Sequence, residues 1–156
     1  MTPVHGKPRS FCDRPAEFGK SENAAFIEAP FPDPDTTMPE NARAWMAEFA
    51  GEAQAAAIQH EVALAINRIL TIDHITHAAY GRLVGLDERR IGAILRGDLG
   101  MYLHEFEIAK RCLPGLETVL RVRFRRAQLA RTYSSKIQPV APLDGYRYIT
   151  LTADED

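Results

Sequence analysis

The chain has little of several features that define specialised protein classes. Only two of its 156 residues are cysteine, Cys12 and Cys112, and they lie far apart in the sequence. This number excludes a disulfide-rich secreted scaffold, and we expect both thiols to be reduced. Because no run of about 18 apolar residues occurs, the sequence predicts no membrane span and no membrane partner. The N-terminus also lacks the apolar stretch of a signal peptide, and we therefore expect a cytoplasmic protein.

The remaining composition is typical of a globular protein. Hydrophobic residues make up 46% of the chain, charged residues make up 26%, and the formal net charge is -2. A chain of this length buries one modest core, so we expect one folded domain with tails. The charge is unevenly distributed, because the segment 111–136 holds one acid, Glu117, against Arg111, Arg121, Arg123, Arg125, Arg126, Arg131 and Lys136. Such a basic segment can contact phosphates whatever the net charge of the chain.

The chain divides into four predicted regions. Residues 1–38 are rich in proline and polar side chains without an apolar period, which predicts a disordered or loosely attached arm. Residues 39–56 predict a helical extension that begins after a capping-box spacing at Thr37 and Glu40. Residues 57–133 predict a compact helical domain. Residues 134–156 predict a linker and C-terminal tail, in which the segment YRYITL is typical of one short strand.

Apolar spacing predicts the helices that flank the centre of the chain. Trp45 and Phe49 begin one apolar stripe, which continues at helical spacing to Leu70, and Gly51 predicts either two helices or one bent helix. We expect Trp45 and Tyr80 to be core residues. A further helix is predicted from about residue 101 to the Pro114–Gly115 pair. The segment LRVRFR alternates like a strand, but its apolar residues also fit a helical face, and its helical neighbours favour a fifth helix from Leu116.

The window from His77 to Gly97 matches the requirements of two helices joined by a tight turn. Apolar side chains fall where both helices would face one core, at Tyr80, Val84, Leu86, Ile91 and Ile94. Gly81 is small where the helices must approach closely, and Gly85 lies at the corner, where a left-handed residue is needed. Thr76 and Asp87 are each placed to cap the start of a helix. The window therefore predicts a helix-turn-helix.

The segments RIGAILRG and IAKRCLPGLETVL resemble parts of the lambda-repressor and Cro type of helix-turn-helix regulator, the XRE family. The resemblance covers roughly residues 58–124. It implies an all-α, five-helix lambda-repressor-like domain, with the N-terminal helical extension and flexible tails outside it. It also implies that 57–133 is a DNA-binding domain, whose recognition helix Asp87–Arg96 enters the major groove of double-stranded DNA.

Carried over by position, the resemblance implies which side chains meet DNA. Glu88, Arg89 and Arg90 would stand in the exposed first turn of the recognition helix, where arginine can bind guanine and glutamate can accept from cytosine. His77 and Arg96 would contact phosphates, and Ala93 could contact a thymine methyl group. The complete set of candidate DNA-binding residues is Thr76, His77, Asp87, Glu88, Arg89, Arg90, Ala93 and Arg96.

These observations predict a sequence-specific transcriptional regulator, a repressor by resemblance, that acts as a homodimer. The expected dimer surface is either the stripe of Trp45 and Phe49 or the face of Leu116 and Leu120. The alternative is a protein-interaction module, such as an antitoxin whose terminal arms bind a partner protein. An enzyme is the least favoured class, because no nucleophile, base and orienting group occur together. His74 and His77 lack further metal ligands, so we expect no catalytic residue, no metal and no cofactor.

Overall fold

The computed structural model describes residues 2–137, with side chains described as far as residue 126. The described residues form five α-helices and two short 3₁₀ helices, and they contain no β-strand, which confirms the predicted all-α class. The α-helices are α1 (Glu40–Ile72), α2 (His77–Val84), α3 (Glu88–Arg96), α4 (Leu103–Cys112) and α5 (Leu116–Ile137). By compactness the chain divides into two units, Met1–Leu120 and Arg121–Asp156. None of the described helices is both long and apolar enough to cross a membrane.

The first helix is the central element of the unit Met1–Leu120. It runs without interruption through Gly51, so the predicted alternative of two separate helices is wrong. Its second half is buried on several sides, and every residue from Val62 to Ile66 is enclosed. Trp45 is 64% exposed, so the expectation that it belongs to the core is wrong. Its indole stacks on Phe49 of the next turn, at 5.4 Å between ring centroids.

The N-terminal segment, defined as residues 2–38, contacts α1 mainly through residues 5–26, whereas most residues from 27 to 38 are exposed. Phe18 is only 1% exposed, and its ring meets the edge of the His60 ring at 5.5 Å. The Gly19 N–H donates to His60 Nδ1 at 2.9 Å, and Asn67 Nδ2 donates to the Gly19 carbonyl at 3.0 Å. A few aromatic side chains hold the segment on α1. Because they do not recur at a regular spacing, the sequence pattern does not predict their burial.

Helices α2, α3 and α4 pack together with α1 and enclose a buried apolar core. Helix α3 packs against α1 and α2, and α4 packs against α2. Tyr80 is 3% exposed, as the sequence predicts, and it lies in this core with Ile91 and Ile94. Leu116 and Leu120 are also buried, so the apolar face predicted there is not exposed.

The fifth helix resolves the ambiguity of the segment LRVRFR in favour of helix. It begins at Leu116 as predicted, and it continues to Ile137, beyond the predicted boundary at Tyr133. The rest of the predicted linker and tail, with the short strand at YRYITL, lies outside the described residues. Both cysteines are free thiols, as their spacing predicts.

Candidate nucleic-acid interface

Helices α2 and α3 are joined by a three-residue turn whose geometry depends on two glycines. Helix α2 ends at Val84, and Gly85 after it has a φ of 76°, a left-handed conformation that glycine adopts without strain. The Leu86 N–H then donates to the Gly81 carbonyl at 2.8 Å, which closes a Schellman-type end. A Cβ atom at Gly81 would lie 2.5 Å from the Leu86 carbonyl oxygen, so no larger residue fits without a shift of the backbone.

The two helix starts that the sequence predicts are capped in different ways. Thr76 Oγ1 accepts a hydrogen bond from the Ala79 N–H at 3.1 Å, which confirms its predicted role in starting α2. Asp87 is the residue that precedes α3 and has extended backbone angles, but its side chain makes no capping hydrogen bond. The prediction that its carboxylate caps α3 is therefore wrong. Its backbone carbonyl accepts from the Ile91 N–H at 3.0 Å, and its side chain remains exposed to solvent.

The two neighbouring arginines of α3 have opposite environments. Arg89 is exposed and, within the described part of the chain, makes no ion pair. Arg90 donates to Glu105 of α4 through two nitrogens, with Nε 2.6 Å from Oε2 and NH2 2.8 Å from Oε1. Its guanidinium also lies over the Tyr102 ring, 4.7 Å from the centroid. Arg90 thus joins α3 to α4, and Glu105 engages the guanidinium for which the sequence predicts a base contact.

Glu105 is the buried half of this ion pair. Its side chain is only 2% exposed, and besides Arg90 it accepts from the Tyr102 N–H at 2.8 Å. Burial by itself would raise the pKa of the Glu105 carboxyl, but the hydrogen bonds from Arg90 and Tyr102 and the positive charge of Arg90 outweigh burial and lower the pKa. Glu105 is therefore ionised at neutral pH. In the sequence Glu105 is the first of the two acids in the segment LHEFE, and nothing there indicates its partner.

The C-terminal end of α3 is held by the N-terminal segment. Arg96 is exposed and its Nε lies 3.1 Å from Asp98 Oδ2, while Arg9 Nε lies 2.9 Å from Asp98 Oδ1. The Arg9 N–H also donates to the Gly97 carbonyl at 2.9 Å. Ala93, a predicted thymine contact, is half-buried. Arg96 is thus accessible to a phosphate, but it would have to share its guanidinium with Asp98 or leave it.

The predicted site residues therefore separate into two groups. His77, Asp87, Glu88 and Arg89 are exposed at the starts of α2 and α3, while Thr76 serves the start of α2 through its hydroxyl. Arg90 and Ala93 face at least partly inward. Beyond these residues, Arg121, Arg125 and Arg126 of the basic fifth helix are exposed. An exposed charged first turn on a helix whose other side is buried can reach base edges in a major groove.

Comparison with known proteins identifies no relative of this chain. The chain has no match among models of known protein families, among curated proteins or among solved structures. The resemblance to regulators of the lambda-repressor type therefore remains an expectation from the sequence.

Proposed function

We propose that this chain is a sequence-specific transcriptional regulator that binds double-stranded DNA through a lambda-repressor-like helix-turn-helix formed by α2 and α3. The observation that carries the proposal is the exposed first turn of α3, which presents Glu88 and Arg89 outward while Ile91 and Ile94 hold the helix against the core. Helix, three-residue turn with glycine, and second helix are the elements of this DNA-binding motif. Helix α3 is accordingly the recognition helix.

Arg89 is the base-reading arginine in this proposal. A guanidinium at that position can donate two hydrogen bonds to guanine O6 and N7, and Glu88 beside it can accept from cytosine N4. Arg90 has a different part, because its bidentate bonds to Glu105 fix the angle between α3 and α4. Asp87 and Glu88 repel phosphates, so they oppose non-specific binding and favour sites at which a cytosine amine can satisfy a carboxylate.

The proposed regulator binds as a homodimer. A single recognition helix reads only a few base pairs, and two-fold symmetric half-sites centred about 34 Å apart would double the sequence that is read. The exposed stack of Trp45 on Phe49 is the apolar surface that supports this assembly. The alternative surface at Leu116 and Leu120 is buried.

Selection of bound sequences from a random DNA pool, followed by titration of variants, tests the proposal. We expect Arg89→Ala to lose about 1–3 kcal/mol of binding free energy on the selected site and to relax the preference at one base position. Arg68→Ala serves as the matched control, since Arg68 is an exposed arginine of α1 that pairs with Glu22 at 2.7 Å. The proposal is wrong if the pool yields no enriched sequence. The groove assignment is wrong if Arg89→Ala weakens selected and scrambled duplexes equally.

A further inference from the structure

Three side chains with metal-binding atoms meet where the N-terminal segment crosses α1. Glu48 and Glu52 lie one helical turn apart on α1, and His5 comes from the start of the chain. His5 Nδ1 is hydrogen-bonded to Glu52 Oε1 and lies 3.9 Å from Glu48 Oε1. The ligand atoms of the three residues all lie within 4.8 Å of one another. One imidazole and two carboxylates therefore converge on a single point.

The position of His5 is fixed by a folded turn. The Lys7 N–H donates to the Val4 carbonyl at 3.0 Å, which closes the turn that contains His5. Buried Ser10 holds both ends of this turn, because its Oγ accepts from the Val4 N–H at 2.7 Å and lies 2.7 Å from the Lys7 carbonyl. The next residue, Phe11, is buried against α1. The scaffold therefore brings His5 to α1 without help from the carboxylates.

The charge of this cluster favours a cation. Two carboxylates one turn apart on a helix repel each other. With a neutral His5 imidazole, the two carboxylates leave two negative charges in the cluster. A divalent cation bound to neutral His5 and both carboxylates would leave no net charge.

We infer that His5, Glu48 and Glu52 form a binding site for a divalent transition-metal ion of the Zn²⁺ type. Imidazole nitrogen and carboxylate oxygen are both ligands of Zn²⁺, and three protein ligands leave at least one coordination position open. His5 and Glu52 also form part of the wall of a cavity of about 410 Å³, whose other walls are mainly apolar. The open position would thus adjoin a space in which the apolar body of a small ligand fits.

Calorimetric titration of the full, untagged chain with ZnCl₂ tests this inference. We expect one saturable site per chain and binding weakened by about tenfold or more in His5→Ala and in Glu52→Gln. His104→Ala is the matched control, because His104 is an exposed histidine outside the cluster, and its affinity for Zn²⁺ should be unchanged. Bound Co²⁺ should give a visible absorption band that His5→Ala removes.

Because His5 is exposed and Glu52→Gln keeps the size and shape of a half-buried side chain, both substitutions should leave the fold intact, and circular dichroism of each variant checks this. The inference is overturned if the chain shows no saturable Zn²⁺ binding. It is also overturned if folded His5→Ala and Glu52→Gln bind Zn²⁺ as tightly as the unchanged chain. Binding of Zn²⁺ is measured without DNA, so either result leaves the proposed DNA-binding function to its own test.

Discussion

Arg89 and Arg90 are neighbours with the same side chain, and their different environments determine different roles. Arg90 lies one turn before buried Ile94, on the side of α3 that faces α4, and there it meets Glu105. Arg89 is the preceding residue, so it lies on a different side of α3, and it is exposed to solvent. The sequence shows a run of charged residues but not which of them a partner occupies, because Glu105 follows only after a loop and in another helix.

The first prediction compares these two arginines by stability. We expect Arg90→Ala to lower the free energy of unfolding by about 3 kcal/mol, because it leaves a buried carboxylate without its partner. Arg89→Ala should change it by no more than about 0.5 kcal/mol, since its side chain is exposed. Urea unfolding followed by circular dichroism measures both values. Equal losses in the two variants would contradict the structural role given to Arg90.

The second prediction concerns acid. The pKa of Glu105 is lowered in the folded chain, so its contribution to stability is fully present above the unfolded pKa, about 4.3, and is lost as pH falls through the folded pKa. We expect Glu105→Gln to be less stable than the unchanged chain at about pH 7, and this difference should shrink towards about pH 3. Unfolding curves at both pH values measure it. A difference that stays constant with pH would show that Glu105 is not ionised in the folded chain.

At the scale of elements, the sequence predicts the features that depend on residues close together in the chain. The turn between α2 and α3 was predictable because its glycines, its apolar positions and the Thr76 cap all lie within one short window. The N-terminal segment was not predictable, because Phe18 is buried by contact with His60, far away in the chain, and proline-rich sequence of this kind is typical of disorder. The spacing of Trp45 predicts a core position. Apolar periodicity does not show, however, how far the elements that pack on α1 extend along it.

The third prediction distinguishes the two glycines of the turn. Gly81→Ala places a methyl group against a backbone oxygen, and we expect it to cost about 2–3 kcal/mol of stability. Gly85→Ala meets no atom within 4 Å, so it should cost only the strain of a left-handed residue, about 1–2 kcal/mol. Thermal unfolding of both variants measures the order. A greater loss for Gly85→Ala would mean that strain, and not close approach, dominates this turn.

At the scale of the whole unit Met1–Leu120, two different elements hold the two ends of α3. Glu105 of α4 binds Arg90 near its start, and the N-terminal segment binds its end through Arg9 to Asp98 and to the Gly97 carbonyl. An element held at both ends keeps its exposed side chains in fixed positions, which is what recognition of base edges requires. The N-terminal segment, which the resemblance does not cover, thus supports the proposed recognition helix.

The last prediction separates base reading from phosphate binding across the whole chain. Arg125 and Arg126 are exposed in α5, and a cation that contacts a phosphate contributes to affinity for every sequence alike because it releases counterions. We expect their joint replacement by alanine to weaken selected and scrambled duplexes equally and to reduce the salt dependence of binding by about one unit of log–log slope per lost contact. Arg89→Ala should instead weaken binding to the selected duplex and relax the preference at one base position.

Salt titrations of the unchanged chain, Arg89→Ala and the double variant on both duplexes provide the measurement. If the double variant keeps the full salt slope, α5 does not contact phosphates, and the exposed charges of α2 and α3 must account for the affinity. If the double variant loses affinity only on the selected duplex, the reading surface extends beyond α3, because phosphates look alike in every sequence and their loss cannot discriminate between duplexes.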